Sequence, residues 1–284
     1  MNDNHTGELA VMWAEAALAQ AERQAQARKA GTRTYALTLG YRGEAFNGYA
    51  RQPGQLTVQG ELERALGVLL HRDVETVCAG RTDAGVHARR QVVSFDVAGE
   101  EAAAIDTHRW LRSLNALTHD DIVVRSVDER EPGFSARFDA KARTYRYFIC
   151  TSATPPLFLD RFCWHVPGEL DLEAMGEAAM FLEGEQDFKS FCKAESAEGK
   201  STFRNVSRTA VERVDMLDED MVCIEVEGNA FLHNMVRTMV GTLVMVGRGK
   251  RPSRWVFDVL DAHDRRAAGE TAPAAGLVLW DVKY

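Results

Sequence analysis

Ala79-Gly80-Arg81-Thr82-Asp83-Ala84-Gly85-Val86-His87-Ala88 sets an acid, a base and two glycines between two segments that alternate like strands. Before it, Val74, Thr76 and Cys78 alternate with Glu75 and Val77; after it, Val93, Phe95 and Val97 alternate with Ser94 and Asp96. That is the period of half-buried strands, so Asp83 falls on the connection between them. Glycines at 80 and 85 can take backbone angles closed to other residues and let a second backbone approach, and Arg81 is a cation able to hold the carboxylate ionised. Taken alone, the same residues are also ordinary turn chemistry, with Arg81 a surface charge.

Outward from this stretch the chain alternates helices and strands. Residues 8–30 are rich in Ala, Glu and Gln and read as a helix with Leu9, Met12, Trp13 and Ala16 on one side, ended by Gly31. Tyr35, Leu37, Leu39 and Tyr41 alternate as a first strand, and Thr57 caps a helix whose apolar positions are 58, 62, 65, 66, 69 and 70. A helix over Thr107–Leu117 and a strand over Ile122–Val127 follow. Strand, helix, strand, strand, helix, strand is the split order of a ferredoxin-like or RNA-recognition-module-like unit. The charged segment Glu129–Gly133, with Pro132, is the natural boundary.

A similar order then recurs: a strand at Thr144–Cys150, a helix from Asp171, and a hairpin of Arg208–Val214 with Val222–Val226. An apolar helix over Phe231–Val246, a short one from Ser253 and a last strand over Leu277–Val282 complete it. The expected fold is α+β, with two such halves sharing a mostly antiparallel sheet, helices packed on it and a central cleft between the halves. The expected units are an extension, residues 1–32, an N-terminal half, 33–130, and a C-terminal half, 131–284.

With 45% hydrophobic and 27% charged residues, the composition is that of an ordinary soluble globular protein. No apolar run approaches a membrane span and the start lacks a basic leader, so the cytoplasm is the expected compartment and no membrane partner is expected. Five scattered cysteines without a Cys-x-x-Cys pair indicate neither a disulfide framework nor a zinc site. The eight histidines show no His-x-x-x-His spacing beside an acid, so no metal is expected. Gly199-Lys200-Ser201 ends like a phosphate-binding loop, but Ala194 stands where that motif needs glycine. A net charge of −8 argues against indiscriminate coating of nucleic acid while leaving room for a local basic cleft, for which Arg81, Arg89, Arg143 and Arg146 are candidates.

Two further stretches carry chemistry. Phe134-Ser135-Ala136-Arg137-Phe138-Asp139-Ala140-Lys141-Ala142-Arg143-Thr144-Tyr145-Arg146-Tyr147 alternates basic and aromatic residues at the entrance to a strand. Single-stranded or flipped RNA needs that combination, cations for phosphates and rings for bases, although a core strand burying Tyr145 and Tyr147 reads the same way. Gly228-Asn229-Ala230-Phe231-Leu232-His233-Asn234-Met235-Val236-Arg237 opens an apolar helix, with His233 and Arg237 four apart on one face. A guanidinium buried there needs an anion, for which Asp83 is the candidate, unless it snorkels to solvent.

These three stretches, in this order, resemble the TruA family of tRNA pseudouridine synthases. The resemblance runs from about Thr34 to Val282. It implies a pseudouridine synthase fold and a homodimer that acts on tRNA, at uridines 38 to 40 of the anticodon stem-loop. It makes Asp83 the catalytic residue, lays Tyr145 against the target base and brings Arg237 to the aspartate. Leu277, in Ala275-Gly276-Leu277, becomes the apolar side chain beside that base, and Arg81 joins Arg237 in positioning the nucleotide. Nothing is oxidised or hydrolysed in the isomerisation, so no cofactor is expected. The chain departs from the family pattern at Gly48-Tyr49-Ala50, at Arg90 and at Leu117–Asp120. A non-catalytic RNA-binding protein with the same double sheet is the rival reading.

Overall fold

A computed structural model describes residues 3–103, 105–193, 198–199 and 201–284, with side chains from residue 15 onward except 16. Leu9, Met12, Trp13 and Ala16, expected on one face of the first helix, and Ala194 and Lys200 lie outside the described side chains. The chain runs α1 (Asp3–Lys29), β1 (Thr32–Tyr41), α2 (Val58–Leu70), β2 (Val77–Cys78), β3 (His87–Ala98), α3 (Gly99–Ala102), α4 (Thr107–Leu117) and β4 (Ile122–Arg130). It continues with β5 (Ala142–Cys150), β6 (Trp164–His165), α5 (Leu172–Met180), β7 (Gly184–Asp187), β8 (Phe203–Met216), β9 (Glu219–Gly228), α6 (Met235–Gly247), α7 (Trp255–Ala262) and β10 (Leu277–Lys283).

Among the described residues the strands form one sheet in the order β4-β1-β3-β10-β5-β9-β8-β7, with β2 beside β3 and β6 beside β5. The architecture is mixed α+β and the sheet largely antiparallel. The C-terminal strand lies between β3 and β5 in that order. β10 runs parallel to β3, pairing Val278 with His87 and Leu279 with Ala88, and antiparallel to β5, pairing Leu279 with Tyr145.

Local chemistry explains the helix starts. Thr57 Oγ1 accepts from the Gly60 N–H at 3.2 Å, Asp106 accepts from the His108 and Arg109 N–H groups, and Asp171 accepts from Ala174 at 2.9 Å. The capped helices bury one stripe each, Leu62 and Leu66 from α2, Trp110 and Leu114 from α4 and Met175 from α5, and α6, which has no side-chain cap, is buried over most of its length, including Met239 and Leu243. Against them lie Val93, Phe95, Tyr147 and Ile224. A smaller apolar cluster covers the other face, where Phe148, Cys150, Cys223 and Val278 pack under Leu159 and Cys163. All five cysteines are free and buried. No described helix is long and apolar enough to cross a membrane.

Two elements differ from expectation. The strand expected from Val74 to Cys78 pairs only at Val77 and Cys78, because the N–H and hydroxyl of Thr76 both donate to Glu63 Oε1, each at 3.1 Å. The helix expected from Phe231 begins at Met235. Asn234 before it sits in the left-handed region, with φ of 64°, so residues 231–234 approach as a turn.

His87, at the start of β3, anchors the loop that precedes it. Its ring is buried, Nδ1 accepts from the Gly43 N–H at 3.0 Å, and Nε2 lies 3.0 Å from the Arg161 carbonyl. An Nδ1 that accepts leaves Nε2 as the donor, so the neutral ring satisfies both contacts and a proton on Nδ1 would set two donors face to face. Burial accordingly holds the His87 pKa below its ordinary 6.5. A base whose pKa is depressed by folding stabilises the fold above its unfolded pKa, and that contribution fades as pH falls through the folded value. The difference in thermal stability between wild type and His87→Gln should therefore narrow as pH falls from about 7.5 to 5.5. A constant difference would contradict the neutral-ring account.

Candidate active site

A cleft bordered by the loop before β3, by β5 and by the start of α6 has a volume of about 830 Å³. Asp83, Arg81, Tyr145, Arg237 and Leu277 all line it, so the structure brings together all five residues nominated from sequence.

Asp83 is held by a loop with little freedom. The Tyr41 hydroxyl meets Thr82 Oγ1 at 2.7 Å, Gln91 Nε2 donates to the Gly80 carbonyl at 2.6 Å, and the Tyr49 N–H donates to the Thr82 carbonyl at 3.0 Å. Ala79 N–H donates back to Val92 at 2.8 Å, and Val86 N–H closes the turn on the Asp83 carbonyl at 3.1 Å. Gly85 supplies the positive φ that this turn requires, +79°, whereas Gly80 takes no such angle.

A guanidinium and an imidazole face the carboxylate. Arg237 Nη1 lies 3.5 Å from Asp83 Oδ2, and His233 Nε2 lies 3.2 Å from Oδ1. Arg237 is itself fixed: Nε donates to the Ala272 carbonyl at 2.7 Å and Nη1 to Asn234 Oδ1 at 3.0 Å. At 17% side-chain exposure its guanidinium is mostly withdrawn from water, while Asp83 at 26% remains open to the cleft. The expectation that Arg237 meets Asp83 thus matches the geometry, and snorkelling to solvent does not. Arg81 is exposed and forms no ion pair with Asp83, so the cation beside the carboxylate is Arg237, with the His233 ring on the other oxygen. Sequence reasoning placed His233 on the same face as Arg237 but did not nominate it; the turn at Asn234 swings it onto Oδ1.

Tyr145 and Leu277 form the apolar wall. Tyr145 is buried, packs edge-on to Phe231 with centroids 5.1 Å apart, and burial pushes its phenol well above the ordinary range. Leu277 stands on the neighbouring strand opposite Tyr147, whose hydroxyl donates to the Pro273 carbonyl at 2.8 Å and steadies the approach to β10.

The basic residues divide differently from expectation. Arg89 and Arg146 lie on the far face of the sheet, stacked on Trp280 at 4.6 and 4.4 Å, with Arg146 paired to Glu225 at 2.7 Å. Alternation along β5 sends Arg146 away from the face that carries Tyr145 and Tyr147. Arg143 borders the cleft but is buried, and its guanidinium serves backbone carbonyls: Ala79 at 2.9 and 3.1 Å, Ala140 at 3.1 Å, Arg137 at 2.6 Å and Asn229 at 2.5 Å. Burial lowers its pKa, and the carbonyls compensate the charge as dipoles. Apart from the buried Arg143, the arginines that line the cleft without a carboxylate partner, among the described residues, are Arg81, Arg137 and Arg204. Asp83 is the sole acid among the described lining residues, and among all described residues no group of three His, Cys, Asp or Glu is placed to hold a metal ion.

Arg143→Met would strip donors from four buried or part-buried carbonyls and should cost about 3 kcal/mol or more. That corresponds to a Tm lower by roughly 6–12 °C in thermal denaturation. Weakened RNA binding with an unchanged Tm would instead return Arg143 to the RNA-contacting surface.

A family model described as tRNA pseudouridine synthase matches residues 178–284. The chain is 45% identical over 247 residues to a protein of Brevibacillus brevis named tRNA pseudouridine synthase A, covering 87% of this chain and 97% of that one. It is 43% identical over 250 residues to the protein of that name from Bacillus subtilis, again 87% and 97%, and 43% identical over 249 residues to that from a Shewanella strain, 88% and 92%. With identity at this level across nearly the full length of the relatives, the chain belongs to the tRNA pseudouridine synthase A family.

Proposed function

We propose that the protein converts uridine to pseudouridine at positions 38 to 40 of the tRNA anticodon stem-loop, with Asp83 as the catalytic carboxylate. Family membership makes it an isomerase that acts on tRNA; the target positions and residue roles are our reading. The observation that carries the roles is the charge of the cleft. A single acid stands between Arg237 and His233, and three arginines without carboxylate partners among the described residues surround it. Such a surface suits a polyanion whose reacting centre must meet one carboxylate.

The reaction breaks the bond from ribose C1′ to uracil N1 and forms one from C1′ to C5. N1 gains a proton and C5 loses one, so electrons balance without a cofactor. Between those events C1′ has lost its base, and the Asp83 carboxylate acts on the sugar as carboxylates do in glycoside chemistry. The uridine leaves the stack to reach the cleft, and the uncharged Tyr145 ring and Leu277 give its base an apolar wall. Arg81 and Arg237 position the nucleotide.

We also read the sheet as two ferredoxin-like halves, residues 33–130 and 131–284, preceded by an extension, 1–32. The support is the repeated strand arrangement, β4-β1-β3 with β2 alongside and β10-β5-β9-β8. A tRNA exceeds the reach of one subunit, so the working form in this reading is a cytoplasmic homodimer; a monomer mass by light scattering with and without tRNA would overturn that.

Mapping pseudouridines in unmodified tRNA treated with the purified protein tests the assignment. Modification at 38 to 40 is expected, and modification confined to another arm would refute the target. If Arg81, Arg137 and Arg204 contact three phosphates, tRNA affinity should fall roughly 20- to 40-fold between 50 and 200 mM salt in a binding titration. A flat response would remove the phosphate-gripping role of the cleft.

A further inference from the structure

Helix α1 precedes the stretch that resembles the family, and none of its described side chains is buried in the core. Its last turns nevertheless pack on a segment that lines the cleft. Gly133, with φ of +79°, has no room for a Cβ because the Arg23 carbonyl and Gln24 Cα would stand 2.8 Å from it. Arg23 Nη2 pairs with Asp139 Oδ1 at 3.2 Å, and the other carboxylate oxygen of Asp139, 8% exposed, accepts from the Ser135 N–H at 3.0 Å. The helix is thereby tied to the turn that follows Gly133. That turn presents Arg137 and Phe138 to the cleft. The Phe138 ring is 62% exposed, with the Arg23 guanidinium 4.9 Å and the Arg137 guanidinium 5.4 Å from its centroid.

An exposed ring flanked by cations at the mouth of a basic cleft is the arrangement that receives a single-stranded nucleotide, its base on the ring and its phosphate on the guanidinium. We infer that Phe138 and Arg137 form a subsite for a nucleotide flanking the target uridine, and that α1 sets this subsite through Arg23. The inference rests on the reading of the cleft as an RNA site. Arg23 is a positioning residue: its charge is engaged by Asp139, and it acts by holding Phe138. The N-terminal helix thus extends the substrate-binding rim of this chain beyond the stretch whose motifs resemble the family.

The test uses the full chain with Arg23→Gln, Arg23→Lys, Phe138→Leu and the double variant Arg23→Gln/Phe138→Leu, measuring anisotropy with labelled tRNA and tritium release from tRNA labelled at uridine C5. Arg23→Gln should weaken binding and raise KM about fivefold with kcat within twofold of wild type. Arg23→Lys, which keeps the charge opposite Asp139, should recover most of the loss. Because Arg23 acts through Phe138, the double variant should bind no worse than Phe138→Leu alone. Wild-type affinity for Arg23→Gln, or additive losses in the double variant, would overturn the inference. Should the wild type release no tritium, the catalytic reading fails, while the anisotropy comparison still decides the role of α1.

Discussion

The contact on which the site depends is the pairing of Asp83 with Arg237, groups 154 residues apart whose atoms meet at 3.5 Å. Neither partner is free to move. Asp83 sits on a turn pinned from Tyr41, Tyr49 and Gln91, and Arg237 is bound to Ala272 and Asn234. A guanidinium withdrawn from water needs a nearby anion, and a carboxylate partly withdrawn into a cleft is held ionised by a nearby cation. Each requirement satisfies the other.

That pairing requires the loop before β3 and the start of α6 to be held in fixed relation. β10 contributes by entering between β3 and β5, so the strand that begins at Leu277 is bonded on one side to the strand leaving the Asp83 loop and on the other to the strand carrying Tyr145. Arg143 adds a second tie, since one guanidinium holds the carbonyls of Ala79, Arg137, Ala140 and Asn229, which come from the segments that frame the cleft. A reacting centre placed by several such ties loses little geometry to thermal motion, which is how a scaffold lowers the entropic part of a barrier.

Much of this was legible in the chain. Asp83 on a connection between strands follows from period-two alternation on its C-terminal side, and Thr107–Leu117 is the helix observed. A charge inside an apolar helix made Asp83 a candidate anion for Arg237, and the family resemblance chose that pairing over snorkelling to solvent. Other features were hidden for physical reasons. Alternating basic and aromatic residues do not say which side of a strand faces a cleft, so Arg143 and Arg146 read as phosphate ligands although one is buried among carbonyls and the other stacks on Trp280. His233 depended on a left-handed Asn234, which helical periodicity does not contain. The insertion of β10 between β3 and β5 is a long-range pairing, invisible to any local pattern.

Asp83 as the catalytic carboxylate is the claim on which the account stands, and Asp83→Asn tests it most directly, since the amide keeps the shape and removes the charge. Tritium release from tRNA labelled at uridine C5 should vanish in the variant, because an amide does not serve as a carboxylate nucleophile. tRNA binding should change little, since phosphate contacts supply most of the affinity. Substantial release by the Asn variant, or none by the wild type on any tRNA, would contradict it.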